Sequence, residues 1–323
     1  MPGSQLAPRM RDPSSSTPRV TAVVVTYRSR AAISTALASL APAHAQGLLD
    51  CVVVDNASDD GTVDHVRTEH PWVTVVANTV NVGFGSACNQ GIASTHSPHV
   101  LLLNPDAVLR VPDLLCLLSF MDRNPRAGMV APAIRTPTGA LQHAGGAPTP
   151  LHLLVQACRS GWLPSNRAPI HPGGDPFQTD WLCGAVLLLR RSMLEQVGSF
   201  DPGFFLYFEE TDLCRRAAAY GWELWAVGRS VAEHVCGSSA RTTGRPLVNG
   251  CIAEHYFRSR FRYLVKHHGI VNAVTSEFAE FTIMSLRSFA RLLLGRDIAP
   301  YRTRMRAPFC GLPPLRHPVR SQP

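Results

Sequence analysis

Charged residues are scarce in this sequence: they make up 17% of its 323 residues, whereas about a quarter is usual. Apolar residues account for 45%. Because disordered chains combine low hydrophobicity with high net charge, this composition excludes disorder as the main state and predicts a folded chain with a substantial core. The 26 prolines and 24 glycines indicate many loops between short elements, which is typical of an α/β enzyme.

Long apolar runs are missing, since none approaches the roughly 18 to 20 residues that cross a bilayer. Any membrane contact should therefore be peripheral. The first 19 residues are rich in Pro, Ser and Arg and lack the apolar stretch of a secretory signal, so we interpret residues 1–19 as a disordered leader. The nine cysteines include no C-x-x-C pair, which disfavours a zinc or redox site. We expect reduced cysteines in a cytoplasmic protein.

Glycine is absent from the turn that follows the first predicted strand, where Tyr27, Arg28 and Ser29 stand. A dinucleotide fingerprint needs three glycines in such a turn. The later stretch Asn81-Val82-Gly83-Phe84-Gly85 has two glycines, but Cys88 occupies the place of the third. This pattern disfavours a nicotinamide dehydrogenase. It also disfavours a sugar-nucleotide pyrophosphorylase, which would be expected to carry a glycine-rich, basic turn after its first strand.

Short apolar runs alternate with helical stretches from residue 20 onward. The runs are Val20–Thr26, Cys51–Val54, Val73–Ala77 and Val100–Leu103, and the helical stretches are Ala31–Leu40, Thr62–Glu69 and Ser86–Ser94. Continuous Val-rich runs are typical of strands that are covered on both faces. The alternation therefore predicts an α/β fold, with a mainly parallel nucleotide-binding sheet flanked by crossover helices.

The second half of the chain is less regular. Residues 134–179 are rich in Pro, Gly and His and predict a long irregular excursion over the active site. Three elements are predicted after it: a buried strand over Trp181–Arg190, an aromatic loop over Phe200–Tyr207 and a helix over Glu209–Tyr220. Residues Cys251–Leu294 have helical periodicity.

Polar residues crowd the segments that follow four predicted strands, where ligands of open α/β sheets bind. The segments are Thr26-Tyr27-Arg28, Asp55 to Gly61, Asn78 to Gly85 and Asn104-Pro105-Asp106. The carboxylate of Asp55 can accept a hydrogen bond from the imide N–H of uracil or thymine. Asp106 can supply one of the one or two carboxylates that hold a divalent ion on a diphosphate. Each side chain has an alternative role as a helix cap or turn residue.

Two further sites carry ionisable groups. The acids of Glu209-Glu210-Thr211-Asp212 begin a predicted helix, where they either complement the helix dipole, for about 0.3–1 kcal/mol each, or supply a base that takes the proton of an acceptor hydroxyl. His234 follows in a predicted polar loop. A lone His is more often a surface or core residue, but a neutral imidazole beside a diphosphate can bind a metal.

In this order the motifs resemble a bacterial family 2 inverting glycosyltransferase with the A-type fold, in particular its rhamnosyltransferase-like subgroup. The resemblance covers roughly residues 20–239. Its motifs are Val23-Val24-Val25-Thr26-Tyr27, Val53 to Thr62, Asn81-Val82-Gly83-Phe84-Gly85, Asn104-Pro105-Asp106-Ala107, and Phe204 to Leu213. Each motif is modest alone, whereas their succession is specific.

The resemblance implies a role for each candidate residue. The nucleotide and donor sugar are expected to contact Thr26, Tyr27, Asp55, Asn81, Gly83, Asn104 and Asp106. Asp106 and His234 are expected to hold Mg²⁺ or Mn²⁺, and Glu210 to be the catalytic base. The acceptor side is expected to include Trp181, Gly184, Glu209 and Asp212. Because Asn104 and Glu210 stand where the family commonly has Asp, a catalytically silent glycan-binding or nucleotide-sugar-binding relative is the alternative.

The implied activity is transfer of a sugar from a nucleotide diphosphate donor, with dTDP-rhamnose as the leading candidate, to a glycan or polyprenyl-linked acceptor of cell-wall or surface polysaccharide. Residues 20–240 would form the catalytic domain, with a nucleotide-binding half over 20–133 and an acceptor-binding half over 134–240. Residues 241–323 would form a basic, amphipathic helical extension and tail.

This extension carries much of the net charge of +8, and we expect no nucleic acid partner. Phe278, Phe281, Leu286, Phe289 and Leu293 can line one helix face, with Arg287 and Arg291 elsewhere on the helix. Two interpretations stay open: docking on the inner face of the cell membrane, or packing on the catalytic domain.

Overall fold

The structure is a computed structural model that describes residues 17–158, 167–234, 250–296 and 298. Most of the predicted leader and of the tail lies outside the described residues. The strands are β1 (Val20–Thr26), β2 (Leu49–Asp55), β3 (Thr74–Ala77), β4 (His99–Leu103), β5 (Ala107–Val108), β6 (Ala127–Arg135), β7 (His143–Gly145), β8 (Arg167–Pro169), β9 (Phe177–Thr179), β10 (Val186–Arg190) and β11 (Glu223–His234). The helices are α1 (Arg30–Ala45), α2 (Thr62–Glu69), α3 (Phe84–Ala93), α4 (Val111–Arg123), α5 (Pro150–Cys158), α6 (Arg191–Val197), α7 (Glu209–Ala219) and α8 (Gly250–Leu293).

One large sheet organises the described part of the chain, with its strands in the order β3-β2-β1-β4-β10-β6-β11-β5 and β9 beside β11. Strands β3, β2, β1 and β4 are parallel neighbours. Strand β10 runs antiparallel between β4 and β6, and β11 is parallel to β6. The predicted α/β class, with a mainly parallel sheet flanked by helices and a C-terminal helix, is confirmed.

Helices cover both faces of this sheet. On one face α1 and α4 bury Leu37 and Leu117 against the strands, and on the other α3 and α7 bury Cys88 and Leu213. All seven residues of β1 are buried, as its continuous apolar run predicts. Polar chemistry is therefore confined to the ends of the strands and to the loops that follow them.

The predicted irregular excursion over 134–179 is wrong in detail. It contains β7, α5, β8 and β9, while residues 159–166 lie outside the described part. These elements are only three to nine residues long, so they leave little periodicity to detect. The strand predicted over Trp181–Arg190 begins only at Val186.

The sequence predicts His234 to lie in a loop, and this prediction is wrong. His234 is the last residue of β11. Buried residues alternate with more exposed ones near the end of this strand, with Ala232 and His234 buried and Val231 and Glu233 less so. Alternation with period 2 is the pattern of a strand. The polar residues that follow His234 obscure this pattern in the sequence.

The helix α8 has a break at Gly269, whose backbone angles are φ 82° and ψ 158°. We call residues 250–268 the inner segment and residues 270–293 the outer segment. The inner segment buries Tyr263 and Leu264 completely against the aromatic loop and α5. The outer segment exposes several large apolar side chains. The two segments therefore have different surroundings.

Candidate active site

The carboxylate of Asp55 is fixed at the ends of two adjacent parallel strands. Thr26 and Asp55 are partners in the register of β1 and β2, and both are buried. The hydroxyl of Thr26 donates a hydrogen bond to Oδ1 of Asp55 at 2.7 Å. The backbone N–H and the hydroxyl of Ser58 donate to the same carboxylate at 2.8 and 2.6 Å. The structure thus brings together two predicted nucleotide-binding residues.

Tyr27 follows this pair and exposes 48% of its surface. The guanidinium of Arg28 lies 5.3 Å from its ring centroid and forms an ion pair with Asp59 at 2.7 Å. An exposed aromatic ring is a surface on which a planar ligand can lie.

Left-handed backbone conformations occur at four described residues other than glycine, namely Arg28, Ala57, Tyr207 and Phe208, with φ between 53° and 68°. Such conformations cost about 1–3 kcal/mol each and cluster at functional sites. Two of them follow β1 and β2, and the other two precede α7. All four lie in or beside segments that the sequence marks as candidate site segments.

The Asn81 loop packs against the aromatic loop. The side chain of Asn81 accepts a hydrogen bond from the backbone N–H of Gly83 at 3.0 Å, and Asn56 donates to the carbonyl of Gly83 at 3.2 Å. Phe84 donates its N–H to the carbonyl of Phe205 at 2.9 Å. A Cβ on Gly83 would collide with that carbonyl, and its φ is +86°. Close approach of two backbones therefore requires glycine here.

The two predicted metal ligands are in direct contact. Nε2 of His234 lies 2.8 Å from Oδ1 of Asp106, and both residues are buried. Antiparallel pairing of β11 with β5 joins His234 to Ala107 and thereby sets this contact.

A carboxylate oxygen beside an imidazole nitrogen fits a divalent ion. No third His, Cys, Asp or Glu completes a metal cluster among the described residues. An ion here would therefore need further oxygens from a diphosphate or water, which is how Mg²⁺ is commonly held.

The Asn104-Pro105-Asp106 turn and the start of α7 lie at the same edge of the sheet. Asn104 donates its backbone N–H to the carbonyl of Ala185 at 2.9 Å. The preceding residue, Gly184, adjoins Glu210, since a Cβ on this glycine would lie 3.7 Å from both Cβ and Cγ of Glu210. Two consecutive residues therefore bridge the candidate metal site and the candidate base.

Glu210 is the half-buried acid of the first turn of α7. Burial raises the pKa of its carboxyl group, and the nearby polar groups of Thr211 and the indole N–H of Trp181 offset part of this rise. The indole N–H of Trp181 also donates to the hydroxyl of Thr211 at 3.0 Å. A carboxylate with a raised pKa is suited to accept a proton.

Glu209 is more deeply buried than Glu210. It is 5% exposed, and its Oε2 has no hydrogen-bond partner in the described structure. A methyl group on Gly85 of α3 would lie 3.4 Å from its Cβ. Burial, followed by the charge of Glu210, raises the pKa of Glu209 well above its usual value. We infer a neutral carboxyl group packed against α3.

Asp212 is fully buried and has cationic partners. Arg216 donates to its Oδ2 at 2.8 Å, while Lys266 and Nε2 of His267 lie 2.7 Å from its Oδ1. Of the three acids in this turn, only Glu210 is more than marginally exposed. The sequence shows three acids within four residues and does not distinguish their orientations.

The inner segment of α8 forms one wall of the site that the sequence motifs do not predict. The ring of His255 stacks on Phe205 with centroids 4.5 Å apart, and the hydroxyl of Ser259 donates to the carbonyl of Leu206 at 2.8 Å. His255, Ser259, Arg262 and Lys266 recur at helical spacing. This polar stripe on an otherwise amphipathic helix is the signal that sequence reasoning could have used.

The glycosyl transferase family 2 model matches residues 21–198. An N-acetylglucosaminyl-diphospho-decaprenol L-rhamnosyltransferase of Mycobacterium tuberculosis is 30% identical over 266 residues, which cover 76% of this chain and 84% of that protein. Rhamnosyltransferase WbbL of Escherichia coli is 27% identical over 199 residues, which cover 59% of this chain and 73% of that protein.

Two solved structures have a similar fold. The mannosyltransferase PcManGT of Pyrobaculum calidifontis, in complex with GDP-Man and Mn²⁺, has a TM-score of 0.52 at 19% identity, covering 95% of this chain and 88% of that one. GalNAc-T7 with UDP, GalNAc and Mn²⁺ has a TM-score of 0.53 at 15% identity, covering 77% of this chain and 48% of that one. At these identities the likeness concerns the fold alone.

Proposed function

The chain belongs to glycosyl transferase family 2 and is a glycosyltransferase with the A-type fold, and from this premise we propose that it transfers rhamnose, with inversion, from a nucleoside diphosphate to a glycan or polyprenyl-linked acceptor. The observation that carries the proposal is the bridge of Gly184 and Ala185 between Glu210 and the Asn104-Pro105-Asp106 turn. The names of the rhamnosyltransferase relatives support the choice of sugar.

We assign donor binding to the 20–133 half of the catalytic domain. Asp55 is held in place by its hydrogen bonds from Thr26 and Ser58, and a carboxylate has lone pairs left to accept a base N–H. Tyr27 offers its exposed ring to the base, while Asn81 and Gly83 shape the loop beside it. Deoxythymidine diphosphate is the expected nucleotide, and dTDP-rhamnose the expected donor.

Asp106 and His234 are the residues that would hold Mg²⁺ or Mn²⁺ on the diphosphate, with Asn104 at the same turn. Their contact at 2.8 Å supports this assignment. The ion would neutralise negative charge that develops on the departing nucleoside diphosphate. The protein contributes a buried carboxylate and imidazole whose positions the β5–β11 pairing fixes.

Glu210 would act as the catalytic base on the acceptor side, within the 134–240 half. Its carboxylate accepts the proton of the acceptor hydroxyl while that oxygen forms a bond to the anomeric carbon and the bond from this carbon to the diphosphate oxygen breaks. Gly184 has no side chain to fill the space beside Glu210, and Trp181 lines the same side. Because Glu209 and Asp212 are buried, we assign them structural roles.

The test compares Glu210→Gln with Glu195→Gln, which makes the same change at an exposed position of α6. Release of nucleoside diphosphate from dTDP-rhamnose, with Mn²⁺ and a lipid-linked acceptor, should fall by several orders of magnitude in Glu210→Gln. Donor affinity should stay within about twofold, because the base does not contact the nucleotide. Unchanged turnover in Glu210→Gln would remove this residue from the role.

The outer segment of α8 supports peripheral membrane contact within the 241–323 extension. No helix of the described residues is long and apolar enough to span a bilayer. The exposed apolar side chains of the outer segment are Ile270, Val271, Val274, Phe278, Leu286, Phe289, Leu292 and Leu293. Arg287 and Arg291 are two positions from Phe289, which places them about 200° away around the helix. We propose that this apolar face docks on the inner face of the cell membrane near a lipid-linked acceptor.

Vesicle flotation tests this docking. The double variant Phe278→Ser/Phe289→Ser should lose most vesicle binding yet keep activity on a short water-soluble acceptor, since neither residue touches the site. Thr282→Ser, on the same helix face, is the control. If the unaltered protein does not float with vesicles of bacterial lipids, the proposed contact is wrong. The alternative of packing on the catalytic domain applies to the inner segment and to the start of the outer segment, since Ala273 belongs to the same buried cluster as Phe208 and Tyr263.

A further inference from the structure

The backbone that leads into α7 is strained and has to be held by its surroundings. Tyr207 and Phe208 have φ values of 68° and 67°, and such conformations persist only where neighbouring structure enforces them. Phe208 caps the helix in the left-handed conformation, directly before Glu209 and Glu210. The orientation of Glu210 therefore depends on whatever fixes these two residues.

The inner segment of α8 provides those contacts. The ring of Tyr256 lies 5.8 Å from that of Tyr207 and 5.4 Å from that of Phe208. Tyr263 lies 5.4 Å from Phe208 on a further turn. The hydroxyl of Ser259 donates a hydrogen bond to the carbonyl of Leu206. The inner segment thus contacts three consecutive residues before the first turn of α7.

A second set of contacts is ionic and reaches α7 itself. Asp212 is one helical turn from the strained entry and is fully buried. Lys266 and His267 each approach its Oδ1 at 2.7 Å, and Lys266 also pairs at 2.7 Å with Asp201, near the start of the aromatic loop. Arg216 donates a hydrogen bond to the other oxygen of Asp212. Both carboxylate oxygens are therefore occupied by cationic or imidazole groups.

We propose that the inner segment of α8 is a positioning element for the catalytic base, and that His267 and Lys266 orient Glu210 by holding Asp212. This inference rests on the proposed function of Glu210. His267 is a positioning residue, because its partner Asp212 is buried and contacts no solvent-accessible space. The matched family region, residues 21–198, contains neither α7 nor α8. The positioning contacts thus come from a part of the chain beyond that region.

The proposal predicts a specific kinetic effect for His267→Phe, which keeps a ring beside Tyr263 and removes the bond to Asp212. We expect kcat to fall roughly 10- to 100-fold, because misplacement of a catalytic group by about 1 Å can cost that much. The KM for the nucleotide sugar should stay within about twofold, since the proposed nucleotide contacts lie at the ends of β1 and β2 and not on α7 or α8. His267→Gln, whose amide can donate to Asp212, should restore most of kcat.

His96→Phe, at an exposed position after α3, is the matched control and should match the unaltered protein. The inference is overturned if folded His267→Phe keeps its kcat, or if Gln at this position is as impaired as Phe. A joint fall in kcat, donor affinity and melting temperature would indicate a general structural role and would also overturn it. If the unaltered protein releases no nucleoside diphosphate from any nucleotide sugar, the proposed function fails instead.

Discussion

His234 contacts Asp106 through its Nε2 at 2.8 Å, although 128 positions separate the two residues. Strand β5 has only two residues, and its pairing with the end of β11 creates the contact. Both side chains are withdrawn from solvent. Because each side chain is the contact partner of the other, removing either one should alter the site as a whole.

The first prediction concerns this pair. Asp106→Asn and His234→Gln should each weaken Mn²⁺-dependent binding of dTDP-rhamnose by at least about tenfold, since an ion with two protein ligands loses half of them. Titration calorimetry with and without Mn²⁺ measures the effect. His96→Gln, which makes the same change at an exposed position, should bind normally. If the Mn²⁺-dependent gain in affinity survives in both variants, the pair does not hold the metal.

The second prediction concerns pH. Burial raises the pKa of Glu210, so its basic form should be lost at a higher pH than for an ordinary Glu, and the acidic limb of the kcat/KM profile should shift upward accordingly. Trp181→Phe removes an indole N–H that lowers this pKa and should shift the limb further upward. Trp222→Phe, whose indole bonds to Gln196 instead, should leave it in place. A downward shift in Trp181→Phe would contradict the assignment.

The sequence predicts the nucleotide end of the site better than the acceptor end. Continuous apolar runs predict buried parallel strands, and their carboxyl ends bring Thr26 and Asp55 together without further information. The orientations of Glu209 and Glu210 depend instead on the strained conformation of Phe208. No local sequence pattern predicts this conformation. The contact between Asp212 and His267 joins two helices 55 positions apart, so periodicity within either helix does not reveal it.

The third prediction concerns the buried hydroxyl of Thr26. Thr26→Val keeps the shape of the side chain and removes a hydrogen bond to Asp55. Loss of a partner for a buried charged group should lower the free energy of unfolding by about 1–3 kcal/mol and weaken binding of the free nucleotide. Thr68→Val, at an exposed position of α2, is the control. Urea denaturation and nucleotide titration measure both effects, and unaltered nucleotide affinity would argue against Asp55 as a base contact.

The last prediction uses the pH dependence of stability. Burial alone would raise the pKa of Asp212, but hydrogen bonds from His267, Lys266 and Arg216 outweigh it and hold this pKa well below its usual value. A carboxylate with a depressed pKa in the folded state stabilises the fold above its unfolded-state pKa, and this contribution disappears as the pH falls through the folded-state value. Asp212→Asn should therefore be less stable than the unaltered protein at neutral pH.

The expected loss is about 3–5 kcal/mol, because the variant removes the charge of a fully buried carboxylate from its ion pairs. The difference between the two proteins should shrink as the pH is lowered below about 4, where the unaltered chain begins to lose the same contribution. Urea denaturation at a series of pH values measures it, with the exposed Asp64→Asn as control. A difference that stays constant down to the lowest accessible pH would mean that the charge of Asp212 does not stabilise the contact between α7 and α8.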